Sequence, residues 1–189
     1  MPTVSQNDAR EQFDRWSETY ERSFMQWLIF DRVHKGVLAN LPPDFTPMHI
    51  LDIGCGTGRL LRRMHACWPS ARLVGVDLSE GMVTRARRLT PAATIYQAAA
   101  EHLPLEDDSI DLVTSTMSFH HWSDQAHGLS ETSRVLHHGG IFILADVNIG
   151  HGHPLSPAQL RALFLASNFS IHSQTSPVPF LTYTIGEKL

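Results

Sequence analysis

The segment Leu51-Asp52-Ile53-Gly54-Cys55-Gly56-Thr57-Gly58-Arg59 constrains this chain more than any other stretch. Before it, His49–Ile53 is a short, largely apolar run that stops at the glycines, as a buried parallel strand does. After it, Leu60, Leu61, Met64 and Cys67 recur at the spacing of one helical face. Glycines at alternate positions let the backbone turn from strand to helix and approach a ligand with no Cβ in the way. A strand-turn-helix unit fits this pattern. Such units build open α/β sheets, which bind ligands in a crevice at the carboxyl ends of their strands.

The alternation continues down the chain. Arg72–Val76, Thr94–Tyr96, Ile110–Thr114 and Ile141–Ala145 read as further strands. Ser79 is placed to N-cap a helix carrying Met82, Val83, Ala86 and Leu89. Residues 123–137 read as a helix stopped by Gly139-Gly140. Ser156-Pro157 opens another, and β-rich segments follow around Phe169–Ser173 and Phe180–Ile185. Upstream, residues 5–40 read as helical. Phe13, Trp16, Tyr20, Phe24, Trp27, Leu28, Asp31 and His34 recur there at three- and four-residue steps, until Leu41-Pro42-Pro43 stops the pattern. The expectation is one α/β domain over residues 1–189, with a helical cap at 1–43 and a doubly wound core at 47–189.

Composition narrows the function classes. Hydrophobic residues make up 42% and charged residues 18%, a balance that excludes intrinsic disorder. The net charge is −4 and the densest cationic run is Arg85, Arg87 and Arg88, so no basic stripe for a phosphate backbone is present. Those arginines read as a solvated helix face. Cys55 and Cys67 match no disulfide framework or zinc spacing and read as reduced thiols in apolar surroundings. The twelve histidines include no i, i+4 pair of the helical zinc type, and no metal site is expected. With no signal peptide and no apolar run long enough to span a bilayer, a cytoplasmic protein is expected.

Asp77, nineteen residues after Gly58, ends the second strand, where a carboxylate can accept both hydroxyls of a ribose. The glycine spacing is G-x-G-x-G rather than the G-x-G-x-x-G of dinucleotide-binding loops, which argues against an NAD-dependent reductase. Asp52, two positions before the first glycine, suits a positively charged ligand better than a pyrophosphate, or anchors the loop amides, or does both. The following helix N-terminus suits the carboxylate of an amino-acid group. Sulfonium, amino acid and ribose together describe S-adenosylmethionine (SAM).

Several segments then carry a family resemblance. Ile50–Gly58 is similar to motif I of the class I SAM-dependent methyltransferases. Val74–Met82 resembles the motif around their ribose-binding acid, and Arg134–Gly140 the segment before their fifth strand. Ala100–Leu105 and Asp108–Val113 are similar to their adenine-side and fourth-strand motifs. Phe13–Glu21 and Thr182–Lys188 are similar to the opening and closing segments of the ubiquinone/menaquinone-biosynthesis type, a small-molecule subgroup. The resemblance implies a Rossmann-like, mainly parallel seven-stranded sheet with an antiparallel last strand. It implies cofactor contacts from Tyr20, Asp52, Gly54, Cys55, Gly56 and Gly58. Asp77, Leu78, Met82, Ala100, Glu101 and Met117 complete the implied set. Ala99 stands where the family often has an adenine-binding Asp, and His138 replaces a proline.

The resemblance further implies methyl transfer to a small organic acceptor, with S-adenosylhomocysteine as product. A non-catalytic SAM-binding sensor or regulatory subunit is the alternative. Phe119-His120-His121-Trp122 follows the fourth strand, where acceptor and methyl group should meet, so His120 and His121 are the candidate general bases. His151 and His153 come next, and packing around the adenosine is the competing role for the whole segment. The acidic balance disfavours nucleic acid as acceptor. A monomer and a homodimer are both compatible with the sequence. With the chain nearly filled by the cofactor fold, the acceptor is expected to be small and to be met by the cap and the loops after the fourth and fifth strands.

Overall fold

Each apolar run read as a strand pairs into one seven-stranded sheet. The computed structural model describes residues 24–148 and 152–189, with side chains from residue 29 onward. Five strands are parallel: β1 (His49–Ile53), β2 (Arg72–Asp77), β3 (Ala93–Gln97), β4 (Ile110–Thr116) and β5 (Leu136–Val147). β7 (Leu181–Lys188) lies antiparallel between β5 and β6 (Phe169–Val178), giving the order β3-β2-β1-β4-β5-β7-β6. The chain winds outward from β1 in one direction and from β4 in the other. That reversal opens a crevice at the carboxyl ends of β1 and β4.

The sheet is buried on both faces, which is why β1, β4 and β5 are near-continuous apolar runs. Residues of alternate parity enter different cores. Ile50, Ile143 and Ala145 join one core with Leu60, Leu61 and Met64 of helix α2 (Arg59–Cys67) and Val33 and Val37 of helix α1 (Phe24–Ala39). Leu51, Phe142 and Leu144 join the other with Leu129 of α4 (Gln125–Val135) and Phe164 of α5 (Pro157–Ala166).

Local chemistry sets the helix starts. Ser79 Oγ accepts from Met82 N–H to cap α3 (Glu80–Leu89), and Asp124 accepts from His127 N–H to cap α4. Ser156 and Gln159 form a reciprocal capping box, with Pro157 in the first turn of α5. α1 is pinned to the core by the buried Asp31, paired with Arg63 and Lys35, and by Tyr183, whose hydroxyl donates to Val33 O. Gly36 leaves room for the Tyr183 ring.

Two expectations need correction. The helix read over 123–137 ends at Val135, and Leu136 already lies in β5. Pairing decides this: Asp108 and Ser109 N–H donate to Arg134 O and Val135 O, and a register shift between Ile110 and Leu112 takes up residues 137–140 within the strand. Gly139-Gly140 therefore sits inside β5 rather than capping a helix. Cys67 is exposed, unlike the buried Cys55, because it falls on the last turn of α2. Arg87 is exposed, as a solvated helix face implies, and its guanidinium donates to Ile95 O, linking α3 to β3. Finally, the helical stretch read over 5–40 is described only as Phe24–Ala39, and Phe13, Trp16 and Tyr20 lie outside the described residues.

Phe142, fully buried, stacks on Phe164 at 5.2 Å between ring centroids and meets Phe169 at 5.8 Å. Phe142→Ala leaves a cavity under the sheet and is expected to cost about 3–5 kcal/mol. Thermal denaturation should show a midpoint lowered by roughly 10 °C.

Candidate functional site

The glycine loop closes onto β2 through its backbone. Gly54 and Cys55 N–H both donate to Val76 O, at 2.8 and 3.0 Å. Gly56 N–H donates to Asp77 Oδ2 at 2.8 Å, while Ser79 N–H donates to Asp77 Oδ1 at 2.9 Å. Asp77 is thus oriented by the loop on one side and by the start of α3 on the other.

A cleft opens at this point. The loop supplies Gly54 and Gly56, and β2 with its following turn supplies Asp77 and Leu78. Met82 of α3, the segment Ala98–Glu101, Met117, His121 and Trp122 form the remaining walls, and Phe30 of α1 closes over them. A smaller cavity adjoins it and is lined by Asp52 and Cys55. Of the residues implied as cofactor contacts, eight line the cleft, and Asp52 and Cys55 line the smaller cavity alone. Gly58 lines neither. It packs against Thr90 at the start of α2. Tyr20 lies outside the described residues.

Two glycines are needed for different reasons. Gly56 has φ +53°, and a Cβ there would meet nothing within 4 Å, so its bare backbone faces the ligand space. Gly54 has φ +71°, and a Cβ would collide with the Ser118 side chain. Across the cleft, Met117 also has a left-handed φ of 54°, held by its N–H donating to Ala145 O at 2.9 Å. That conformation costs a non-glycine residue about 1–2 kcal/mol, and it turns the chain sharply at the end of β4.

Electrostatics favour a cation. Burial pushes the Asp52 carboxyl from 3.8 up to about 7; the Asp77 charge adds to this and a 2.8 Å bond from Thr114 Oγ1 opposes it. Burial likewise raises the Cys55 thiol, which stays protonated and unreactive. A positively charged group beside Asp52 would reverse that cost.

The two candidate bases separate. His121 lines the cleft, whereas His120 lies behind it, with ring centroids 4.0 Å apart. Asp146, at the end of β5, accepts the His120 backbone N–H at 2.8 Å and contacts its Nδ1 at 2.6 Å. His120 O accepts from His153 N–H, and His151 lies outside the described residues. Glu101, expected beside adenine, reaches the cleft wall but spends Oε1 on Ser123 Oγ and Asp124 N–H. Asp146, Phe30 and Ser118 were missed from sequence. Phe30 falls outside the stripe read along the helix, and Asp146 meets His120 only through the fold, 26 residues away in sequence.

The methyltransferase-domain family matches residues 51–144. The malonyl-[acyl-carrier protein] O-methyltransferase of Dechloromonas aromatica is 37% identical over 79% of this chain and 54% of its own length. The demethylmenaquinone methyltransferase of Symbiobacterium thermophilum is 33% identical over 78% of this chain and 62% of its own. The chain thus spans little more than half of these curated relatives. Among solved structures, the [4+2]-cyclase SpnF superposes with a TM-score of 0.84 over 100% of this chain and 98% of its own, at 16% identity, a likeness of fold.

Gly54→Ala combines left-handed strain with displacement of Ser118, whereas Gly56→Ala carries the strain alone. Chemical denaturation should show the first losing at least about 1 kcal/mol more than the second.

Proposed function

We propose that the chain, whose residues 51–144 match a methyltransferase-domain family, transfers the methyl group of SAM to a small organic acceptor and releases S-adenosylhomocysteine. The observation that carries this reading is the convergence of Gly54, Gly56 and Asp77 on one cleft, with the buried Asp52 in the cavity beside it. SAM, when bound, supplies a methyl group on a positively charged sulfur.

The chain's own residues divide the work. Asp77 holds the ribose hydroxyls, and the bare backbone at Gly56 admits the ligand. Leu78, Met82 and the alanines 98–100 give the adenosine an apolar seat, with Ala99 leaving room where a larger residue would stand. Phe30 and Trp122 exclude water from the transfer path. Orientation of acceptor against methyl supplies most of the acceleration. Residues 47–189 form the cofactor core in this reading, and residues 1–43 the cap.

His121, on the cleft wall, is the base for an acceptor that begins protonated, such as a hydroxyl, a phenol or an acidic C–H. His120 supports it from behind, its Nδ1 fixed by Asp146. The relatives' names, malonyl-[acyl-carrier protein] and demethylmenaquinone, put a carrier-bound acid and a quinone on the acceptor panel. No helix among the described residues is long and apolar enough to cross a membrane.

Calorimetry with SAM, S-adenosylhomocysteine and NAD tests the cofactor, and an NAD-only signal would overturn the proposal. With labelled SAM and an acceptor panel that includes hydroxylated aromatics, His121→Ala should lower turnover by about 10²–10⁴-fold while SAM binding holds. Labelled methyl appearing in no acceptor would favour the sensor.

The carboxyl of Asp52 gives a pH signature. In the folded chain it stays protonated to about pH 7, while in the unfolded chain it ionises near 3.8. The folded state binds more protons across that window, so this group's contribution to stability falls as pH rises. A bound cation reverses the preference. SAM affinity should therefore climb as pH passes through about 7 and then level, and Asp52→Asn should flatten the curve.

A further inference from the structure

Beyond Met117 the chain rounds the end of β4 into a single 3₁₀ turn, Phe119–His121, from which His121 lines the cleft. So short a turn holds itself weakly. Its backbone is gripped from outside by three residues distant in sequence or on other elements. Asp146 of β5 accepts the His120 N–H at 2.8 Å. His153 N–H donates to His120 O at 2.7 Å. Gln125, the first residue of α4, donates from Nε2 to Phe119 O at 3.1 Å and to His153 O at 2.8 Å.

The Gln125 amide cannot be turned the other way. Two carbonyl oxygens face it, so it must present its nitrogen, and each of the two N–H groups has one carbonyl to meet. The segment after β5 is shaped for the same contact. Gly152 has φ +83°, and a Cβ there would collide with His120 O. Glycine lets the chain come close enough for His153 N–H to reach that carbonyl. The bonds close a circuit: Gln125 to Phe119, along the chain to His120, across to His153 and back to Gln125. Gln125 itself does not line the cleft, so it acts on the site only through this backbone.

We propose that Gln125 is a positioning residue for methyl transfer: by bridging Phe119 O and His153 O it fixes the histidine turn and so sets the His121 ring against the cleft. The assignment rests on the reading of His121 as the base. A ring is carried by its own Cα, and His121 directly follows the two residues whose carbonyls the circuit holds. Any slip of the turn therefore moves the imidazole relative to an acceptor. A misplacement of about 1 Å is enough to cost up to about 10²-fold in rate. Loss of one bridging amide, with Asp146 and His153 still in place, should cost less than that.

Gln125→Met keeps the side chain's length and loses both donors, whereas Gln125→Lys restores N–H groups at similar reach. The His121 ring signal in NMR of the full chain, identified by its loss in His121→Ala, should shift in Gln125→Met and return most of the way in Gln125→Lys. This readout needs no acceptor. S-adenosylhomocysteine affinity should stay unchanged in both variants. With a hydroxylated aromatic acceptor, Gln125→Met should lower kcat by roughly tenfold with KM little changed, and in a His121→Ala background it should lower kcat no further. In the unaltered chain the His153 amide should be protected from hydrogen exchange, and free exchange there would overturn the circuit without any variant. An unmoved His121 signal in Gln125→Met, or an equal shift in both variants, would overturn the positioning role, as would a further tenfold loss in the His121→Ala background. Unaltered turnover in His121→Ala would overturn the base reading instead, and the ring signal would still decide whether Gln125 places that side chain.

Discussion

The carboxylate of Asp77 is the interaction on which the site depends. One oxygen takes the amide of Gly56 and the other the amide of Ser79, so a single side chain ties the loop after β1 to the start of α3. Charge-assisted bonds of this kind are stronger than neutral ones, and they fix the two edges of the crevice relative to each other. The reversal of strand order between β1 and β4 makes a crevice. Asp77 gives it a defined shape.

Around that fixed point, the structure gathers negative charge and removes water. Asp52 lies buried in the adjoining cavity, where its ionisation is costly without a cation. Helix α1 covers this region, clamped by Asp31 to Arg63 and by Tyr183 to its backbone. On the opposite wall the turn after β4 is bent at Met117 and held by Asp146 through His120. The two walls of the cleft are thus built by different devices, a glycine loop with an acid on one and a clamped histidine turn on the other. The same fold in a cyclase shows that the scaffold does not dictate the chemistry.

Sheet and cofactor loop were legible because both are written in local order. Apolar runs of strand length alternate with helical spacing, and Gly54, Gly56 and Asp77 sit at fixed offsets within one strand-helix-strand unit. Errors fell where partners distant in sequence decide. Residues 136–140 read as a helix end because glycine is a common stop signal, yet the parallel pairing with β4 draws them into a strand. His120 and His121, adjacent in sequence, part company because Asp146 captures one of them.

By itself, the sequence determined the fold class, the strand-loop-helix cradle and the position of Asp77 at the end of β2. Each follows from short-range spacing and from the conformations glycine permits. Only the tertiary structure decided which side chains share a cavity. His34 and Arg59 are 25 residues apart in sequence and both lie on helices, where their spacing carries no signal. Both line one cavity, where among the described residues a buried nitrogen of each has no partner. Desolvation depends on the whole packed chain, so the acidity of Asp52 and the neutrality of His34 could be set only there.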